Sequence, residues 1–191
     1  MVFFLAMFAI ALLVVAITKG SFRRLSRIEF KSLWMLLTAL VIQFAVEIVE
    51  FPKERIEDLG FAILVCSYAL ILLFCWQNRR VKGMRIITTG IALNLLVIAL
   101  NQGMPTKDDV RVVNSGEVHV PFKQTVKHRP QDDDTMLPFL GDVLSLPRLP
   151  NQQFSIGDVV ISLGVVDICF EASRVPRRRG RPLPDRERVS E

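Results

Sequence analysis

Cysteine is scarce. Three residues among 191 are too few for a disulfide scaffold, and Cys66, Cys75 and Cys169 each stand inside an apolar run with no Cys-x-x-Cys pair. They read as small apolar fillers. Ten glycines without a three-residue period exclude collagen, and a chain that is 51% hydrophobic is too apolar for disorder. Charge is ordinary in amount, at 23% of residues and a net +5, so apolar and charged residues must be segregated along the chain. The mean hydropathy of +0.37 points toward membrane.

Five apolar runs are present, at Met1–Ile17, Leu33–Val49, Leu59–Trp76, Ile86–Leu100 and Phe154–Phe170. A helical crossing takes about 20 residues, so each run reaches one with a turn of flanking residues at the interface. Thr88, Thr89, Gly90 and Asn94 dilute the fourth. Any one run reads equally as a buried core helix, but five in so short a chain leave too little polar surface to wrap a soluble core. The expected fold is therefore an all-α membrane protein with five transmembrane helices. Residues 1–100 form a four-helix region, 101–153 a small mixed extracytoplasmic segment, 154–171 the fifth helix and 172–191 a disordered basic cytoplasmic tail.

Lys and Arg set the orientation, because basic residues flanking spans stay in the cytoplasm. The first connection, the third connection and the tail together carry 16 of them, and the other two connections carry 8 that are offset by acidic residues. This predicts an N-out, C-in chain. Trp34 and Trp76 fall at the ends placed on the cytoplasmic side, where an indole keeps its ring in lipid and its N–H wet. The first run could also be read as a cleaved signal peptide, but its positive charge follows the apolar stretch instead of preceding it. The Arg177-Arg178-Arg179 tail is expected to meet anionic lipid, and nucleic acid is not expected as a partner.

Inside the spans, Gln43 and Glu47 share one face of the second. Glu47 reads as a carboxylate reaching the outer interface, or as part of a face that pairs with Asn94 in a polar pocket. In the outer segment, Val110–Val113 and Val118–Val120 suggest a hairpin, and Met136-Leu137-Pro138-Phe139-Leu140 suits the membrane interface. Gly141-Asp142-Val143 follows, and a second Gly-Asp-Val at 157–159 opens the last span. Two carboxylates brought together at a low-dielectric boundary cannot both ionise easily, so one holds a proton while the other acts as base, as an aspartyl hydrolase requires. The structural alternative is that Ser155 caps the helix with Asp158 three residues later, and that Asp142 is an ordinary turn residue. His128 with Asp132, Asp133 and Asp134 reads as a solvated loop, and neither metal nor cofactor is expected.

The stretches Asn101-Gln102-Gly103-Met104-Pro105, Lys127-His128, Thr135 to Val143 and Ser155-Ile156-Gly157-Asp158 resemble a bacterial multipass membrane family, domain of unknown function 5317. That resemblance implies the bacterial inner membrane and no known activity. Locally, Phe154 to Gly164 is similar to the segment of lipoprotein signal peptidase that opens its last span, and Leu140 to Val143 to the segment with its other aspartate. The peptidase family has Asn where Ser155 stands, Ala where Gly157 stands, and four spans. The resemblance implies a catalytic Asp142 and Asp158; Asn101, Gly103, His128 and Ser155 are expected to line a substrate or structural site. The alternative is a non-catalytic scaffold or accessory subunit whose outer segment contacts another membrane protein.

Overall fold

The computed structural model describes residues 2–48, 59–106, 109–113, 116–120, 125–146 and 149–174. Each of the five apolar runs contains a helix. Helix α1 is Val2–Ile17, α2 a single turn at Phe22–Leu25, α3 Leu33–Ile48, α4 Phe61–Gln77, α5 Met84–Asn101 and α6 Ile156–Ser173. The last begins two residues later than its apolar run, because Ser155 takes extended backbone as the N-cap. The fourth begins two residues earlier, directly after Gly83, whose φ of +81° suits glycine.

The helices pack as a row in the order α3, α4, α5, α6, α1. The seam between α5 and α6 is the most extensive. Gly83 and Gly90 on the α5 side face Gly164 and Gly157 on α6, and a Cβ on Gly90 would stand 2.6 Å from the Gly157 carbonyl oxygen. Small residues at this heptad spacing let two backbones approach closely, the geometry by which helices associate where lipid supplies no hydrophobic drive. Leu64, Ile71, Phe74, Met84, Ile91 and Val97 fill the main core, and Ala11, Val15 and Cys169 form a separate contact where α1 meets α6.

Two asparagines tie loops to helix ends in the same way. Asn78, 3% exposed, accepts the Lys31 N–H at Oδ1 (2.8 Å) and donates from Nδ2 to the Lys31 carbonyl (2.9 Å). At the opposite end of the row, Asn101 accepts the Met136 N–H (2.7 Å) and donates to the Met136 carbonyl (2.9 Å).

Between α5 and α6 lie three two-stranded ladders. Strand β1 (Met104–Thr106) pairs parallel with β4 (His128–Pro130), β2 (Asp109–Val113) antiparallel with β3 (Gly116–Val120), and β5 (Leu144–Leu146) antiparallel with β6 (Leu149–Phe154). The second is the expected hairpin. The other two were not expected. A 3-10 turn at Pro138–Leu140 follows Leu137, which is left-handed at φ +52°.

The expectation of five crossings needs correction. Among the described residues only α5, Met84–Asn101, is a helix long and apolar enough to cross a membrane. Among the described residues α1, α3 and α4 span 16, 16 and 17 residues, and α6 carries Asp158, Asp167 and Glu171 within its 18. The basic tail beyond Arg174 lies outside the described residues, as does the side chain of Glu47.

Candidate functional site

The C-terminal half of α5 and the N-terminal end of α6 hold the first group of polar side chains. Ser155 and Asp158 make a full capping box: Ser155 Oγ accepts the Asp158 N–H (3.0 Å), and Asp158 Oδ2 accepts the Ser155 N–H (3.1 Å). Asn94, on α5, closes the group from across the seam. Its Nδ2 donates to Asp158 Oδ1 (3.0 Å), and its Oδ1 accepts from Ser155 Oγ (2.9 Å). Ser155 and Asn94 are 0% and 3% exposed, and every bond between them is satisfied. Gly157 makes this possible, since a Cβ there would collide with Asn94 Oδ1. Asn94 lies seven residues before the end of α5, which at 1.5 Å per residue places the group about 10 Å below that end.

Asp142 belongs to a second group. Its backbone joins β1 through a parallel bridge to Thr106, with its N–H bonded to the Pro105 carbonyl (2.8 Å). Gly141 permits the approach, because a Cβ there would stand 2.4 Å from that same carbonyl oxygen. The Asp142 side chain is 10% exposed and its Oδ2 lies 3.3 Å from His128 Nε2. His128 sits on the paired strand β4, its N–H bonded to Thr125 Oγ1 (3.1 Å). The two aspartates thus engage different partners, Asp158 with Ser155 and Asn94, Asp142 with His128.

Tyr68 on α4 is 7% exposed. Sequence reasoning did not single it out. The available signal was the Ser67-Tyr68 pair of hydroxyls in an otherwise apolar run.

The remaining sequence candidates divide. Asn101 clamps Met136 as described, and the Arg129 guanidinium donates to its carbonyl (3.2 Å). Gly103 forms the turn after α5 at φ +152°, its N–H bonded to the Ile98 carbonyl (3.1 Å). Asn101 also lines a cleft of about 270 Å³ at the C-terminal end of α5 with Pro105, Arg129, Asp132, Asp134 and Met136, and neither Asp142 nor Asp158 lines it. Gln43 stands apart from these groups and bonds Ser67 Oγ (3.2 Å), so no hydrogen bond joins it to Asn94. Asp132 bonds Thr135, and among the described residues no cluster of His, Cys, Asp or Glu has the makings of a metal site.

No curated protein and no solved structure matches the chain. A family model does match, over residues 27–170, a span that holds α3 to α5 and α6 as far as Phe170 with both polar groups, and leaves α1 and α2 outside. The chain therefore belongs to DUF5317, a family of unknown function.

Proposed function

We propose that the chain is a multipass protein of the bacterial inner membrane whose outer face carries an acid–base site for hydrolysis, built on Asp142 and Asp158. The membrane part is supported by the side chains around the helices. Leu37, Val41, Phe44 and Ile48 along α3, and Leu5, Phe8, Leu13 and Ile17 along α1, are all at least half exposed. Apolar stripes of this extent on several helices need lipid or protein to cover them. Trp34 and Trp76 are each 60% exposed at the same end of the row, with the Arg79 guanidinium 4.7 Å from the Trp76 ring, as suits a cytoplasmic interface. Anionic lipid would meet the basic tail on that side.

The observation that carries the hydrolytic reading is the use of α5 and the strand after it as one platform for both aspartates: Asn94 holds Asp158, and Thr106 holds Asp142. On this reading Asp158, oriented by two fixed donors, takes a proton from the attacking water. Asp142, beside the His128 imidazole, supplies the proton to the leaving group. The test is Asp142→Asn and Asp158→Asn in lipid nanodiscs against a membrane-anchored peptide library. Loss of at least about a hundredfold in cleavage by each folded variant is expected. Full cleavage by either variant overturns the pair.

A second reading is favoured by the closed ring of Asn94, Ser155 and Asp158, in which both carboxylate oxygens already have donors. There Asp158 only caps α6, and the chain is an accessory subunit. Met136 and Phe139, 54% and 58% exposed beside the outer ends of α5 and α6, would then make its contacts. Absence of cleavage by the wild-type chain, with a co-purifying membrane partner lost on Phe139→Ser, selects this reading.

A further inference from the structure

We propose that the cleft at the C-terminal end of α5 binds the headgroup of a zwitterionic phospholipid that carries a primary ammonium group, phosphatidylethanolamine being the type. The inference rests on the membrane part of the reading above and is independent of its aspartyl pair.

The cleft is built by ties between its walls. The Asn101 side chain holds both backbone groups of Met136 (2.7 and 2.9 Å), and the Arg129 guanidinium donates to the Asn101 carbonyl (3.2 Å). The helix end, strand β4 and the loop after it therefore meet around one residue. The space between them, about 270 Å³, lies just under the usual range of small-ligand pockets, roughly 300–1,000 Å³, and suits a headgroup better than a whole lipid.

Its lining carries both signs of charge. Asp132, Asp134 and Arg129 all contribute to it. Asp132 is held by Thr135, whose Oγ1 donates to Oδ1 (2.7 Å) and accepts the Asp132 N–H (2.9 Å). Asp134 is exposed and forms no ion pair or hydrogen bond among the described residues. The end of α5 adds partial negative charge. Gln102 and Gly103 both turn their N–H groups back to the Ile98 carbonyl, which leaves the carbonyls of the lining residues Ala99 and Leu100 without a backbone donor. Two carboxylates at a helix C-terminus call for a cation, and the guanidinium beside them calls for an acidic group. A bare metal ion answers only the first. An ammonium and a phosphate a few bonds apart answer both.

The apolar lining shows where the rest of the ligand lies. Leu100 lines the cleft and is 43% exposed, and Leu96, one turn back along α5, is 46% exposed. Together they make an apolar strip that runs from the cleft along the helix long and apolar enough to cross a membrane. Acyl chains on that strip would continue from a headgroup seated in the cleft. A soluble zwitterion would gain nothing from it, which favours the lipid.

For the test, the full chain in detergent is titrated with phosphatidylethanolamine, phosphatidylcholine and phosphatidylglycerol of the same acyl chains, and bound lipid is read by native mass spectrometry. Phosphatidylcholine keeps the phosphate and the positive charge but has no N–H for a carboxylate, and phosphatidylglycerol lacks the cation. Phosphatidylethanolamine is expected to bind at least about tenfold more tightly than either, the worth of one charge-assisted hydrogen bond. Asp134→Asn should remove that preference. Asp133→Asn, also exposed but outside the cleft lining, should leave it unchanged. Equal binding of the three lipids, or an equal effect of the two variants, overturns the inference. So does soluble glycerophosphoethanolamine binding as tightly as the lipid, which would assign the cleft to a free zwitterion. Failure of the chain to enter nanodiscs of any of the three lipids overturns the membrane reading, whereas entry without a lipid preference overturns the headgroup site alone.

Discussion

Asn94 and Asp158, 64 positions apart, are joined by a 3.0 Å hydrogen bond across the α5–α6 seam, and Asn94 simultaneously accepts from the residue that caps the second helix. One amide thereby connects the fixing of a helix start to the pairing of two helices. Asn94→Ala removes the acceptor of Ser155 and one donor of Asp158 in a buried setting. A loss of about 1–2 kcal/mol in unfolding free energy is expected, read in detergent by chemical denaturation.

Gly157→Ala should act through the same amide. The added methyl meets Asn94 Oδ1 and the Gly90 carbonyl oxygen, so the ring must open or the helices must part. Overpacking of this kind costs about 1–3 kcal/mol. If the double variant Asn94→Ala, Gly157→Ala is no less stable than Gly157→Ala alone, the collision is with Asn94. Additive losses would place the cost in the backbone contact instead.

The clamp between Asn101 and Met136 predicts a local effect. Asn101→Ala leaves the Met136 N–H and carbonyl without their side-chain partners, while α5 keeps its own ladder. Hydrogen exchange at Met136 should quicken by about tenfold, with little change inside α5, because one hydrogen bond guards that amide.

Removal of residues 2–20 should leave the rest of the bundle intact, since α1 lies outside the matched family region and meets it mainly through Ala11, Val15 and Cys169. The readout is the Cys169 thiol, 5% exposed in the whole chain. Its reaction with a membrane-permeant maleimide should accelerate in the shortened chain. No change in rate would mean that another surface has closed over it.

Orientation is tested by cysteine substitution in a background with the three native cysteines replaced. A probe at Ser115 should react with an impermeant maleimide in intact cells, and a probe at Ser190 should react only after permeabilisation. The reverse pattern would invert the arrangement inferred from the 16 and 8 basic residues.

The helices were legible because uninterrupted apolarity is a strong local signal, and their bounds fall within a few residues of the runs at Leu33, Leu59 and Ile86. The capping box could also be read directly, as Ser155 followed three residues later by Asp158. The parallel pairing of β1 with β4 could not, because three-residue strands show no periodicity and their partners lie 24 positions apart. Asn94 stands out in the sequence for its polarity, and the face of Gln43 and Glu47 is one partner the sequence offers; Gln43 bonds Ser67, the Glu47 side chain lies outside the described residues, and the glycine spacing at 83, 90, 157 and 164 is what brings α6 against Asn94. Tyr68 carries no motif at all, and its burial arises only from packing.

The glycine seam also displaces the two helices along their axes. With Gly90 opposite Gly157, α5 continues for 11 residues toward its C-terminal end and α6 for only one toward its start, an offset of about 15 Å at 1.5 Å per residue. At the other end α6 runs nine residues past Gly164, an overhang of about 13 Å beyond the start of α5. Asp167 and Glu171 lie on that overhang, where Glu171 pairs with Lys82 from the α4–α5 connection. Asp167 and Glu171 therefore stand clear of the stretch of α6 that α5 covers. At the opposite end the same sliding leaves α5 about 15 Å taller than α6, so the chain returning through β6 must descend beside α5 by about that distance before the buried Ser155 can start the last helix.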